Sequence, residues 1–417
     1  MPRAFYVLAI LALVTALNYY DRNLISILVE DLKCDLHFSD TQIGLLTGLA
    51  FAVVYSVVSL PVARWADGGH RIRVLSAALL VWSVMTGLCG AATGFWTMLA
   101  GRFGVGIGEA GGAPTTHAVV AETFAPSWRG SALAIIALAG AIGYMAAISL
   151  GGWLAAHHGW RIAFLAAAGP GALLALLLYV TVREPGRGNG RASELSLPLS
   201  VALPILARRP AFVWSCIATA VMGLGAFSTA AWTPAYLMRQ FHLDAGEVGI
   251  SYGAAVGPAM LFGVLAGGVL GDWLGRRGDR LPFYFMAATF FVTTPLAIGY
   301  VIVSDYGVAL ALVVPMTFVS SMFTSPIYAA VQALSGPRLR ATGAATFMLI
   351  ANLVGQGLGP LLTGWLSDQF SQAYGSEGLR YALLAGASTY LLGALAYLMA
   401  ARTAAADIAD ANEAWRS

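Results

Sequence analysis

Along this chain, apolar stretches long enough to cross a bilayer as helices recur twelve times, separated by short polar connections, and that repetition leaves few folds open. The first, Phe5 to Val29, is roughly 37 Å of helix at 1.5 Å per residue. Further spans are expected near 40–66, 72–92, 95–121, 128–155, 160–182, 210–238, 245–271, 281–303, 307–334, 340–367 and 378–401. A soluble domain carries about 25% charged residues. Here 10% are charged and 59% hydrophobic, so the chain reads as an integral membrane protein. The runs are continuous rather than alternating, which means helices and not a β-barrel. The expected fold class is an all-α polytopic membrane protein with twelve transmembrane helices in two six-helix bundles. The bundles are 1–182 and 210–401, joined by a linker at 183–209 and followed by a tail at 402–417.

Basic residues set the expected orientation. With both termini in the cytoplasm, only Lys33, Arg161, Arg239 and Arg380 fall outside, and Arg22 and Arg102 lie within spans. The rest of the 23 Lys and Arg residues are cytoplasmic, while acidic residues divide evenly, as the positive-inside rule expects. The first run is too long for a cleavable signal peptide, so none is expected. A net charge of +3 gives no reason to expect nucleic acid. Cys34, Cys89 and Cys216 lack metal-ligand spacing, and His37, His70, His117, His157, His158 and His242 are scattered. No metal and no organic cofactor are expected.

The two halves repeat. Asp67, with Ala63 and Arg71 around it, follows span 2 as Asp272, with Gly268, Gly275, Arg276 and Arg277, follows span 8. Glu122 and Arg129 between spans 4 and 5 match Gln332 and Arg340 between spans 10 and 11. Gly143, Gly152 and Trp153 of span 5 match Gly355, Gly364 and Trp365 of span 11. Two like halves are the plan of a rocking transporter. The loop Gly268–Arg277 resembles the signature loop of the major facilitator superfamily, and Arg102, Gly106, Gly108 and Glu109 resemble its fourth-helix motif. Asn18, Asp21 and Arg22, taken with Gly108, Glu109 and Ala110, look more narrowly like the spinster branch and its bacterial homologues. Organic-anion symporters of the same superfamily share the Asn-Tyr-x-Asp-Arg first helix. The chain departs from the pattern at Ala63, Gly68 and His70 in the first loop and at Trp273 in the second. Gly-Pro of the superfamily's antiporter motif is absent from span 5, at Ala147 and Ile148, and stands in span 11 at Gly359 and Pro360. After Gly-Glu-Ala, spinster relatives have Ser and Tyr where this chain has Gly111 and Gly112.

Charges inside spans are costly and mark ion or substrate paths. Asn18, Asp21 and Arg22 share one face of span 1 at i, i+3, i+4. In span 4, Arg102, Glu109 and His117 share a face, with Arg102 near the depth of Asp21 and Glu109 near the midplane. Two acids and two bases are neutral together. A buried ion-pair network that merely fixes packing is the plain alternative, yet such pairs are often replaceable by apolar residues without loss of stability. Burial favours a neutral carboxyl and a nearby Arg favours a charged one, so moving the Arg changes proton affinity. Asp21 and Glu109 are therefore expected to carry the coupling proton, with Arg22, Arg102, Asn18 and His117 at a substrate headgroup. Spans 7 to 12 hold no deep charge. Tyr20, Tyr55, Trp232, Tyr236, Ser321, Ser325, Tyr328, Asn352 and Gln356 are expected to line the cavity. Family resemblance implies a cytoplasmic gate of Asp67, Arg71, Glu122, Arg129, Asp272, Arg276 and Arg340.

The resemblance implies a proton-coupled, alternating-access transporter of the bacterial inner membrane. Lysolipids such as sphingosine-1-phosphate or lysophospholipids would be the substrates, and the protein would work as a monomer. A symporter of a small organic anion such as a sugar acid is the alternative. An intramembrane lipid enzyme would need a nucleophile beside a base, and no such cluster is visible.

Overall fold

The computed structural model describes residues 2–67, 70–184 and 199–416. Most of the expected linker, and Gly68 of the first loop, lie outside the described residues. Among the described residues there is no strand. In order, α1 is Pro2–Ile27, α2 Val29–Leu36, α3 Asp40–Gly44, α4 Ala50–Asp67, α5 Arg71–Gly90, α6 Phe95–Glu109 and α7 Gly112–Thr123. Then come α8 Pro126–His158, α9 Trp160–Thr181, α10 Leu199–Ala207, α11 Pro210–Phe241, α12 Ala245–Gly275 and α13 Leu281–Ile302. The last are α14 Tyr306–Ser321, α15 Thr324–Ser335, α16 Arg340–Ile350, α17 Gly359–Tyr374 and α18 Gly378–Arg416.

Ten segments meet the length and hydropathy of a membrane crossing. Arg340–Glu413 holds two crossings, and α6 with α7, Phe95–Thr123, adds another. Twelve crossings result, as the sequence leads one to expect. Their outward faces are apolar: Val180 is 71% and Val269 72% exposed, surface that only lipid covers at low cost.

The chain forms two compact units. The first comprises Met1–Asn189 with Ala231–Gly257, the second Gly190–Ala230 with Pro258–Ser417. Thus α11 begins in one unit and ends in the other, and α12 does the reverse. In the first unit α1 packs on α8, and α5 on α6 and α9. Leu8, Leu11, Val14, Leu75, Leu79, Trp82, Val105, Val119 and Leu178 join these helices in one core. Close approach needs a missing side chain at Gly108, where a Cβ would lie 2.6 Å from the Cβ of Trp82. In the second unit α13 packs on α14 and α18, and Gly355 of the α16–α17 crossing meets the backbone of Gly223 in α11.

Three features depart from uniform helices. Span 1 ends at Ile27, not Val29, because the polar run Glu30, Asp31, Lys33 and Asp35 forms the separate helix α2, closed by left-handed His37. Leu45–Leu49 and Ala351–Leu358 are π-helical, a register concentrated at functional sites. Finally, α18 continues well past the apolar span, since its Ala-rich end keeps helix propensity after hydropathy falls. That end is anchored: Asp407 accepts a 2.6 Å bond from the Ala211 N–H in the first turn of α11. Nearby, Arg209 donates to the carbonyls of Leu334 (2.7 Å) and Ser335 (3.0 Å), which close α15.

Candidate functional site

The break between α6 and α7 falls at Ala110 and Gly111, directly after Glu109. Tight glycine contacts hold α6 and α7 against α5 here, where Gly108 meets Trp82 and Gly111 faces Ala78. Glu109, the last residue of α6, is fully buried, and its Oε2 accepts from Arg22 Nη2 at 2.8 Å and Nε at 3.1 Å. Such charge-assisted bonds are about twice as strong as neutral ones. The amide of Asn18, one turn before Arg22, lies beside the same carboxylate. Arg22 keeps 24% of its side chain exposed, so the pair is buried on one side and open on the other. Its guanidinium lies 4.6 Å from the Phe51 ring and 5.3 Å from Tyr55, themselves stacked at 5.5 Å. Cation–π contact of this kind favours a guanidinium over a point ammonium.

Asp21 and Arg102 form the closed side. Asp21 is 2% and Arg102 1% exposed. Arg102 Nε donates to the Leu46 carbonyl at 3.1 Å, within the π-helical turn where the ladder is loosened. Its guanidinium also lies 5.7 Å from Phe51, which therefore serves both arginines. Asp21 faces Thr86 and Trp82 of α5 along with Arg102 and Glu109. Asp21 Oδ1, Glu109 Oε1, Arg102 Nη2, Thr86 Oγ1 and Trp82 Nε1 are all buried without a hydrogen-bond partner. His117 is exposed on α7, as are Ala113 and Pro114.

The cavity-lining expectations divide. Tyr20 belongs elsewhere: it lines a groove of about 370 Å3 with Leu13, Leu17, Ile142, Leu150 and Pro170. Two residues apart, Tyr20 and Arg22 cannot share a helix face, so the aromatic turns away from the Arg22–Glu109 pair. Trp232 and Tyr236 are buried in the first unit. In the second unit Ser321 ends α14, Ser325 donates to the Val264 carbonyl at 3.3 Å, and Tyr328 packs edge-on against Phe347 at 6.0 Å. Asn352 and Gln356 lie on the π-helical segment of span 11. Span 10 breaks at Met322 and Phe323, the repeat's counterpart of the break after Glu109.

Among the gate residues, Arg71 pairs with Glu122, and Arg129 Nε donates to the Phe124 carbonyl at 3.1 Å. Asp272, Arg276 and Arg340 are exposed, and the Asp67 side chain is outside the described residues. Two of the expected gate residues, Arg71 and Glu122, are thus paired with each other, while Arg129 is turned to its own helix start. Sequence reasoning overlooked a second cluster, at the end of the first unit that carries α2 and α3. Arg239 donates to both oxygens of Asp40 (2.7 and 2.8 Å) and to Glu30 Oε1 (2.8 Å), and Lys33 also pairs with Asp40. Nearby, burial and the adjacent Glu30 and Asp244 carboxylates push Asp31 above the usual carboxylate range. Hydrogen bonds from Arg161 and Trp160 hold Asp35 below it.

Known proteins are similar to this chain over most of its length. A solved structure of a bacterial homologue of the human lysosomal transporter spinster, in an inward-facing and unoccupied conformation, superposes with a TM-score of 0.89. It is 27% identical and covers 98% of each chain. An MFS-type efflux pump of Mycolicibacterium smegmatis is 35% identical over 98% of this chain and 95% of its own length. A hexuronate transporter of Bacillus subtilis is 24% identical over 88% of this chain and 90% of its own. The Major Facilitator Superfamily profile matches residues 11–355, and the chain belongs to that superfamily of membrane transporters.

Proposed function

We propose that this protein is a proton-coupled transporter of lysolipid-like amphiphilic anions, working by alternating access. The observation that carries it is the ion pair of a half-open Arg22 with a fully buried Glu109. An anionic headgroup entering from the open side competes for Arg22. Once Arg22 turns to the ligand, Glu109 is a buried carboxylate without its cation, and protonation is the cheapest relief. Substrate binding and proton uptake are then one electrostatic event. Asp21, on the closed side, is the second carboxyl available to the proton, and Arg102, bonded to backbone, tunes both from a fixed position. Phe51 and Tyr55 give the open side an apolar wall that suits an amphiphile. Likeness to a spinster homologue supports the lysolipid class.

The cytoplasmic gate includes the Arg71–Glu122 pair, and both termini face the cytoplasm of a bacterial inner membrane, a reading that the distribution of basic residues supports. The protein acts as a monomer. A second reading, symport of a sugar acid, is favoured by the likeness to the hexuronate transporter, since a sugar carboxylate would also engage Arg22. Proteoliposome flux of a labelled lysophospholipid and a labelled hexuronate, with and without an imposed pH gradient, separates the two. Gradient-driven lysolipid flux lost in Asp21→Asn and Glu109→Gln is expected. Flux indifferent to the gradient and to both substitutions would sink the proton mechanism, and preference for the hexuronate would sink the lysolipid class alone.

A further inference from the structure

On the proton reading just given, Asp21 must exchange a proton from a site with almost no solvent access, 2% exposed. We infer that Thr86 and Trp82 of α5 are positioning residues for the Asp21 carboxyl, presenting to it one hydrogen-bond partner that serves both protonation states and one that serves only the charged state. Both are buried, Thr86 to 2% and Trp82 fully, and both face Asp21. Thr86 Oγ1, Trp82 Nε1 and Asp21 Oδ1 are each buried without a hydrogen-bond partner. Three orphaned polar atoms meeting at one carboxyl are costly unless they are used together. The other charged and titratable groups facing Asp21 are Arg102 and Glu109 of α6, Cys89 of α5 and the adjacent Tyr20.

The two partners differ in chemistry. An indole N–H only donates, so Trp82 can bond an ionised carboxylate but not the O–H of a protonated acid. A threonine hydroxyl donates to the carboxylate and rotates to accept from the acid, so Thr86 follows the proton. Trp82 is held in this role by backbone contact: Gly108, directly before Glu109, admits the Trp82 Cβ and N–H, and Gly112 lies against the far edge of the ring. The glycines flanking Glu109 thereby seat the indole that faces Asp21.

The test is the pH profile of gradient-driven lysophospholipid flux in proteoliposomes for wild type, Asp21→Asn, Trp82→Phe, Thr86→Val and Thr86→Ser. Losing a donor to the carboxylate favours its protonated form, so Trp82→Phe is expected to move the midpoint up by about one pH unit. Thr86→Val loses a partner of both forms, so maximal flux falls several-fold with a smaller shift, and Thr86→Ser restores both. An unmoved or lowered midpoint in Trp82→Phe, with the wild-type transition abolished by Asp21→Asn, would overturn the inference while leaving the proton reading intact. If Trp82→Phe does not fold, the threonine pair decides, and Thr86→Val behaving as wild type overturns the inference. A wild type with no pH transition would overturn the proton reading itself and this inference with it.

Discussion

Spans 4 and 10 break at corresponding places in the two halves, yet the breaks are furnished differently. In the first unit the broken helix ends on Glu109, bonded to Arg22, with Asp21, Arg102, Trp82 and Thr86 packed behind. In the second it ends on Ser321, and the hydroxyls around it bond back to carbonyls, Ser320 to Thr317 and Ser325 to Val264. Among the described residues, buried polar atoms without partners are plentiful in the first unit, whereas in the second only those of Arg209 and Thr403 appear. A break alone is therefore architecture shared by the repeat, and charge is what distinguishes one copy. Hydroxyls satisfied by their own backbone cost little to bury, while an ion pair in an apolar span persists where it is used.

The largest effect is expected from Glu109→Gln, which keeps shape and removes both the charge and its proton. Gradient-driven flux should fall at least tenfold, read in proteoliposomes. Next, Arg239→Gln removes three charge-assisted bonds, two of them to the buried Asp40, so thermal unfolding in detergent should show a loss of about 2 kcal/mol. Little change in thermal unfolding would mean that this cluster merely decorates the surface. In the second unit, Ser321→Ala and Ser325→Ala should change flux less than twofold, because neither hydroxyl neutralises a charge. If they cost as much as Glu109→Gln, the contrast between the two breaks fails. Smallest of all is Asp35→Asn. Asp35 is held low by Arg161 and Trp160, so its contribution is present above the ordinary carboxylate range and lost as pH falls below it. Thermal stability at pH 7 should barely move, and the small difference between variant and wild type should shrink as pH falls below the carboxylate range.

Twelve crossings were legible because apolar length is a strong signal, and the charged residues because an ionisable group inside such a run has few reasons to be there. Helical spacing put Asn18 and Arg22 on one face with no structure in hand. What stayed hidden had weaker signatures. The π-helical turns at Leu45–Leu49 and Ala351–Leu358 read as ordinary apolar helix, although Arg102 depends on the first for its partner. Trp82 and Thr86 sit in a span whose Ser, Thr and Trp residues are unremarkable singly, and only packing against α1 and α6 gives them a carboxyl to face. Arg239 lies 199 residues from Asp40 and 209 from Glu30, and all three are at helix ends, where charges are common, so nothing in one dimension pairs the arginine with its acids.

Arg22 cannot hold Glu109 and a ligand anion equally well, and that competition can be read without any membrane. In weakly buffered detergent solution with a pH indicator, adding lysophospholipid to the purified protein should draw protons from the medium, and affinity should rise as pH falls. Glu109→Gln should bind with reduced or no proton uptake. Saturable binding with no proton uptake by the wild type, and with the same affinity from pH 6 to pH 8, would contradict the coupling of ligand and proton through Arg22 and Glu109.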